Sequence, residues 1–216
     1  MKQEQIMNNK KTVLVLAPHT DDGELGCGGT IARLIDEGKE VYYAAFSSCR
    51  RSLPAGLAPD TLINELKAAT TILGIPETNL VVFDYDVRYF PTNRQEILED
   101  MVKLQRKLNP DLILLPGSND LHQDHQTIHN EGLRAFKSST ILGYELPWNN
   151  LVFQTSCFIK LTSVHLDKKM NALLEYKSQL KRNYLNKEFI YGLATTRGVQ
   201  IGAQFAEAFQ VMKYID

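Results

Sequence analysis

The sequence predicts an α/β fold: a Rossmann-like, doubly wound and mainly parallel sheet with helices on both faces. Three observations predict it. Short, almost purely apolar runs recur along the first two thirds of the chain, segments with helical spacing of apolar residues separate them, and Gly or Pro punctuates the junctions. Strands alternating with helices of this length build a parallel sheet through right-handed crossovers.

Residues 12–17, Thr-Val-Leu-Val-Leu-Ala, stop at Pro18 and suit a strand buried on both faces. A turn at Gly26-Cys27-Gly28-Gly29 leads to a helix over 30–37, where Ile31, Leu34 and Ile35 share a face and Gly38 ends the element. The alternation continues with a strand over 41–47, a helix over 60–73 closed by Gly74, and a strand over 80–85. Residues 92–108 present Ile97, Met101, Leu104 and Leu108 on one helical face, and 111–115 is an apolar strand between Pro110 and Pro116, followed by a helix over 125–136. Beyond Ser139 the pattern loosens. Residues 141–146 and 151–161 read as strands, 167–181 as a helix, and 205–214 as a closing strand or strand–helix mixture. With no repeat and no Pro/Gly/Ser-rich linker, one domain over 1–216 is expected, its first 11 residues flexible and its last third capping the rest.

Composition narrows the function. At 44% hydrophobic and 23% charged, the 216 residues exclude disorder, collagen and coiled coil and leave room for a substantial core. Lys plus Arg number 24 against 25 Asp plus Glu, so the net charge of -1 offers no field to draw in nucleic acid, and a small-molecule partner fits better. Cys27, Cys49 and Cys157 form no C-x-x-C pair and read as reduced thiols. The polar start and the lack of any apolar run of membrane-span length predict a cytoplasmic protein with no membrane insertion; self-association into a homo-oligomer is left open.

Ligands of open α/β sheets bind outside the carboxyl ends of the strands, and two polar clusters follow predicted strands at that edge. His19, Asp21 and Asp22 come after the strand ending at Ala17; Asn119, Asp120, His122, Asp124 and His125 come after the strand ending at Leu115. A catalytic zinc takes three ligands from His, Asp or Glu and keeps a position for water. His19, Asp22 and one histidine of the second cluster supply that set, which leaves Asp21 to act on the water as general base. Taken singly, Asp21 and Asp22 could equally cap a helix; the coincidence of two such loops at one edge is what favours chemistry. The glycine turn lacks the spacing of a nucleotide-binding loop and is read as a close-packing device. His129 lies one helical turn beyond His125 and is a weaker ligand candidate, and His165 is read as a surface or structural residue. For substrate contact, Arg50, Arg51 and Arg88 follow predicted strands and suit a phosphate, with plain surface charge an equal reading for each. Asn119 in the second cluster and the loop of Tyr144, Glu145, Trp148 and Asn149 offer polar and stacking contacts to a sugar ring.

These residues resemble the LmbE-like or PIG-L deacetylases over nearly the whole chain. The family's Pro-His-Pro-Asp-Asp-Glu followed by Gly-Cys-Gly-Gly-Thr stands here as residues 18–30, Pro-His-Thr-Asp-Asp-Gly-Glu-Leu-Gly-Cys-Gly-Gly-Thr, and His-x-Asp-His is intact as His122-Gln123-Asp124-His125. Weaker matches lie at 65–74, at Tyr176-Lys177-Ser178-Gln179 and at Phe205-Ala206-Glu207-Ala208-Phe209. The resemblance implies a zinc- or ferrous-iron-dependent removal of acetyl from an N-acetylated sugar or sugar conjugate. It implies His19, Asp22 and His125 as metal ligands, Asp21 as general base, and His122, oriented by Asp124, at the oxyanion or the leaving amine. Thr20 replaces the usual proline and Gly23 the usual glutamate, which predicts a looser loop and one carboxylate missing or supplied by Glu24. Leu62 stands where the family often carries an arginine that contacts substrate. Hydrolysis of an ester or phosphoester at the same metal, and a non-catalytic sugar- or nucleotide-binding module, are the other classes the pattern admits.

Overall fold

A computed structural model describes residues 10–216. Seven strands form one sheet in the order β3-β2-β1-β4-β5-β7-β6. They are β1 (Thr12–Ala17), β2 (Glu40–Ala45), β3 (Leu80–Val82), β4 (Leu112–Pro116), β5 (Thr140–Tyr144), β6 (Cys157–Leu161) and β7 (Phe205–Lys213). The first five run parallel, while β7 pairs antiparallel with both β5 and β6. From β1 the chain steps outward to β2 and β3, then returns to place β4 on the other side of β1. The loops after β1 and β4 thus leave the sheet on either side of the switch in strand order, where a crevice forms.

The helices are α1 (Asp22–Asp36), α2 (Thr61–Leu73), α3 (Arg94–Leu108), α4 (Gln123–Ala135), α5 (Ser163–Leu174) and α6 (Lys187–Val199). The alternation of β1 assigns its side chains to two cores. Val13, Val15 and Ala17 pack under α1, α2, α5 and α6 with Ile31, Leu66, Leu173 and Ile190, whereas Leu14 and Leu16 pack under α3 and α4 with Ile97, Met101 and Ile128.

Several boundaries differ from the sequence reading. The glycine segment 26–29 is not a turn before the helix but lies within α1, which begins at Asp22 and breaks its helical geometry at Cys27 (φ -146°, ψ 24°). Gly74 ends α2 with φ +95°, the left-handed conformation a helix C-terminus favours glycine for. The strand expected over 151–161 shrinks to β6, because Leu151 and Val152 face solvent and have no core to bury against. The helix expected over 167–181 is α5, started by a reciprocal cap between Thr162 and His165 and finished before Tyr176. Helix α6 was not expected: only Ile190, Ala194 and Gly198 are buried, a stripe one residue wide on a segment with Gly192, Thr195 and Thr196. Of the flexible start expected over 1–11, residues 1–9 lie outside the described residues. The amides of Lys11 and Thr12 both donate to Asp111 Oδ2 (2.9 and 3.0 Å), so the described end of that segment is tied down. No helix among the described residues is long and apolar enough to cross a membrane.

Candidate active site

The loop after β1 and the loop after β4 meet at the crevice. His19 Nδ1 lies 3.1 Å from Asp22 Oδ2 and 3.2 Å from His125 Nε2, and His125 Nε2 lies 3.2 Å from Asp22 Oδ2. Three ligand atoms bound tetrahedrally at about 2.0–2.1 Å would stand about 3.3 Å apart, so this triangle already has the size of a metal's coordination face. Its outer hydrogen bonds say the same. His19 Nε2 meets Asp124 Oδ2 at 3.0 Å, and His125 Nδ1 meets Asp120 Oδ2 at 2.7 Å. When each ring gives its one N–H to the carboxylate outside, both inward nitrogens carry lone pairs toward the Asp22 oxygen, and a cation is the partner that three converging acceptors require. Burial works to lower the His125 pKa, but Asp22 and Asp120 overcome it and carry the imidazole up to about 10. His19 is likewise raised against burial by Asp22 and Asp124. Burial favours a protonated Asp22, yet the two imidazoles hold its carboxyl well below the ordinary carboxylate range. The ligand atoms of His19, His122 and His125 also lie within 4.8 Å of one another, so His122 stands at the margin of the same cluster.

Asp21 stands beside this triangle with half-buried exposure and does not cap α1, since its side chain makes no bond to a helix amide. Burial and the adjacent Asp22 push its carboxyl up to about 6. His122 accepts the amide of Asp124 at Nδ1 (3.2 Å), so its neutral ring keeps its proton on Nε2. Burial, reinforced by His125 and His19, lowers its pKa to about 4.

The loop after β1 is held from beneath. The Thr20 carbonyl lies 3.1 Å from the Tyr43 hydroxyl and 2.7 Å from the Tyr176 hydroxyl, and the same two hydroxyls meet the Glu24 carboxylate at 2.5 and 2.9 Å. Glu24 is fully buried, and burial pushes its carboxyl up to about 8. The loop is thus anchored through the backbone carbonyl of residue 20, a group that proline would offer as well. A Cβ at residue 23 would lie 2.5 Å from the Tyr43 ring. Glycine is required there, and Glu24 carries the carboxylate one residue later.

The cluster floors a cleft of about 280 Å3 whose walls include Leu62, Val87, Arg88, Trp148, Asn149, Gln179, Arg182 and Tyr184. Trp148 stacks on Tyr184 at 3.9 Å with the planes 8° apart. Several expected contacts are not brought to it. Tyr144 is fully buried, its hydroxyl donating to the Leu16 carbonyl, because β5 lies between β4 and β7 and has no free edge. Glu145 is buried in an ion pair with Arg197. Arg50 pairs with Asp84 and Arg51 with Asp86, both beside a separate hollow, and Asn119 is exposed outside the cleft's lining. Arg88 and Trp148 do reach the cleft. Asp124 takes a different partner from the one the resemblance implies. Its Oδ2 is 3.9 Å from His122 Nδ1 but bonds His19, and its oxygens also accept the amides of Arg88 (2.6 Å) and Phe90 (3.2 Å). His129 turns away from the cluster, its Nδ1 donating to the Pro116 carbonyl at 2.8 Å.

Sequence reasoning gave no role to Asp120, although it lay in the second cluster, and assigned none to Gln179, Arg182 or Tyr184. These three arrive on a turn fixed by Glu65, whose carboxylate accepts the Ser178 amide (2.9 Å) and hydroxyl (2.6 Å). The weak matches at Glu65 and at 176–179 were the available signal, and both belong to this support.

The sequence model of a family described as GlcNAc-PI de-N-acetylase, PIG-L, matches residues 14–136. An uncharacterized deacetylase of Escherichia coli, YaiS, is 30% identical over 79% of this chain and 93% of its own length. The diacetylchitobiose deacetylase of Thermococcus kodakarensis is 24% identical over 94% of this chain and 84% of its own. Among solved structures, the N,N'-diacetylchitobiose deacetylase of Pyrococcus horikoshii has the same fold, with a TM-score of 0.82 at 22% identity over 97% of this chain and 86% of that one.

Proposed function

The chain belongs to the PIG-L, or LmbE-like, family of deacetylases, and we propose that it hydrolyses the amide of an N-acetylated sugar or sugar conjugate to acetate and a free amine. The observation that carries this reading is the triangle of Asp22 Oδ2, His19 Nδ1 and His125 Nε2 at 3.1–3.2 Å, with the Asp21 carboxylate beside it at the floor of a cleft. Relatives named for diacetylchitobiose support a sugar as substrate.

His19, Asp22 and His125 would hold the metal, and two imidazoles with one carboxylate suit zinc or ferrous iron. Bound there, the ion would polarise the acetamide carbonyl and acidify a water molecule. Asp21 would accept the proton of the attacking water as the water oxygen bonds to the carbonyl carbon. His122, neutral and with its proton on Nε2, donates a hydrogen bond to the oxyanion. When the C–N bond breaks, the proton on Asp21 passes to the departing nitrogen. Asp120 and Asp124 keep the two ligand imidazoles in the tautomer that faces inward. The three unpaired thiols suit a reducing compartment such as the cytoplasm.

Replacing Asp21 with Ala tests the assignment. Metal analysis should find the ion still bound while amine release from N-acetylated sugars disappears; undiminished release by Asp21→Ala would overturn the role, and a purified protein that takes up no metal would overturn the reading.

A further inference from the structure

Of the nine arginines in the sequence, six are held in ion pairs: Arg33, Arg50, Arg51, Arg94, Arg134 and Arg197. Among the described residues, Arg88, Arg106 and Arg182 make no ion pair with a carboxylate, and two of these three, Arg88 and Arg182, line the same cleft.

Both are placed by specific structure. Arg88 sits at φ +73°, a conformation uncommon for any residue but glycine, and is kept in it by the bond from its amide to Asp124. Arg182 closes the turn that Glu65 clamps at Ser178; its amide donates to the Gln179 carbonyl and its Nε to Gln179 Oε1 at 3.3 Å. Tyr184 and Trp148, stacked, flank it with an apolar surface. The carboxylates of the cleft are otherwise engaged. Asp22 lies between two imidazoles, and Asp21 forms no ion pair with Arg182, although the charge of that guanidinium is felt at its carboxyl. Two guanidinium groups therefore line the cleft without a carboxylate partner, Arg182 using only its Nε within the protein.

Resting on the reading of this cleft as the N-acetyl-sugar site, we infer that its substrate carries an anionic group, phosphate or carboxylate, which Arg88 and Arg182 grip while the acetamide reaches the histidine cluster. Guanidinium forks suit planar, two-point contact with such oxyanions. The stacked aromatic pair would cover the apolar face of the sugar between the two ends.

The experiment pairs binding with turnover. Calorimetry compares glucosamine, glucosamine 1-phosphate, glucosamine 6-phosphate and muramic acid on the metal-loaded full chain, and an amine-release assay uses their N-acetyl counterparts. We expect at least one anionic sugar to bind about tenfold or more tighter than glucosamine, with the preference weakening as salt rises. In Arg88→Gln/Arg182→Gln the ratio of anionic to neutral binding should fall toward one, and Arg182→Lys should restore part of it. Both side chains are exposed, so these variants keep the core intact. The better of the phosphate and carboxylate arms identifies the anion. Equal binding of all four sugars, or a preference that survives the double substitution, overturns the inference and leaves the deacetylase reading standing. Preferential binding with no amine released from any acetylated sugar supports the anion grip and sinks the deacetylase reading.

Discussion

Asp124 bonds the Nε2 of His19 at 3.0 Å across 105 residues of sequence, so the carboxylate of one polar loop orients a proposed metal ligand of the other. Asp120 does the same for His125 within its own loop. The two carboxylates are buried and each is committed to one imidazole.

Asp124→Asn and Asp120→Asn should each weaken metal binding by about 10–100-fold, since outer partners of ligand histidines contribute on that scale. Competition with a chromophoric chelator measures it. Metal affinity unchanged in both variants would remove the supporting role.

Gly23→Ala should destabilise the protein by about 1–3 kcal/mol, because the added methyl meets the Tyr43 ring and neither can retreat through a packed core. Urea titration reads the loss. The same substitution combined with Tyr43→Ala should cost less than the sum of the two alone, as neighbours that compete for one space do not add.

The break of α1 at Cys27 leaves backbone groups without helical partners, and a buried ion pair satisfies them. Lys169 Nζ donates to the Leu25 carbonyl (2.7 Å) and to Glu207 Oε1 (2.6 Å), while Glu207 accepts the amides of Gly29 (3.1 Å) and Thr30 (2.7 Å). Glu207→Ala should cost about 3–5 kcal/mol, the range for stranding a buried charge. Lys169→Met/Glu207→Ala should recover part of that loss by removing the uncompensated ammonium. A Glu207→Ala cost below about 1 kcal/mol, typical of exposed pairs, would show that the pair is not doing this.

On the alkaline side, burial pushes the Cys27 thiol and the Tyr144 hydroxyl well above their ordinary values. Both are neutral acids in the folded state. Below the unfolded pKa, about 8.5 for Cys and 10 for Tyr, neither state ionises and their contribution is intact. Above it only the unfolded chain releases the proton, so stability falls. Melting temperatures should decline from about pH 8.5 upward, and Cys27→Ala should flatten the first part of that decline. Iodoacetamide should label Cys27 in urea and not in native buffer at neutral pH.

How much of this was legible in the sequence follows from where each side chain finds its partner. The strands and the two polar loops were readable because their signals are local: Thr12–Ala17 is a continuous apolar run, and His19, Asp21 and Asp22 lie within four residues. The partner of Asp124 was not, because the choice between His122 and His19 depends on how β1 and β4 sit side by side. Tyr144 and Glu145 were misplaced for a related reason: a strand end invites a substrate contact only at an open crevice, and β7 covers that side of β5. Arg182 and Tyr184 come from a turn with little pattern of its own, positioned by Glu65 more than 100 residues earlier. Helix α6 buries too narrow a stripe to register as periodic.

The hold that Tyr176 and Glu207 exert on the segment 20–30 has a further consequence, for the order in which a chain made from its N-terminus can mature. When the ribosome has released both polar loops, Tyr43 is in hand but Tyr176 and Glu207, the other anchors of this segment, are still to come. The nascent chain would own every proposed metal ligand and yet have no rigid seat for the ion. If the proposed ion binds, its complete seat exists only once the last strand has docked.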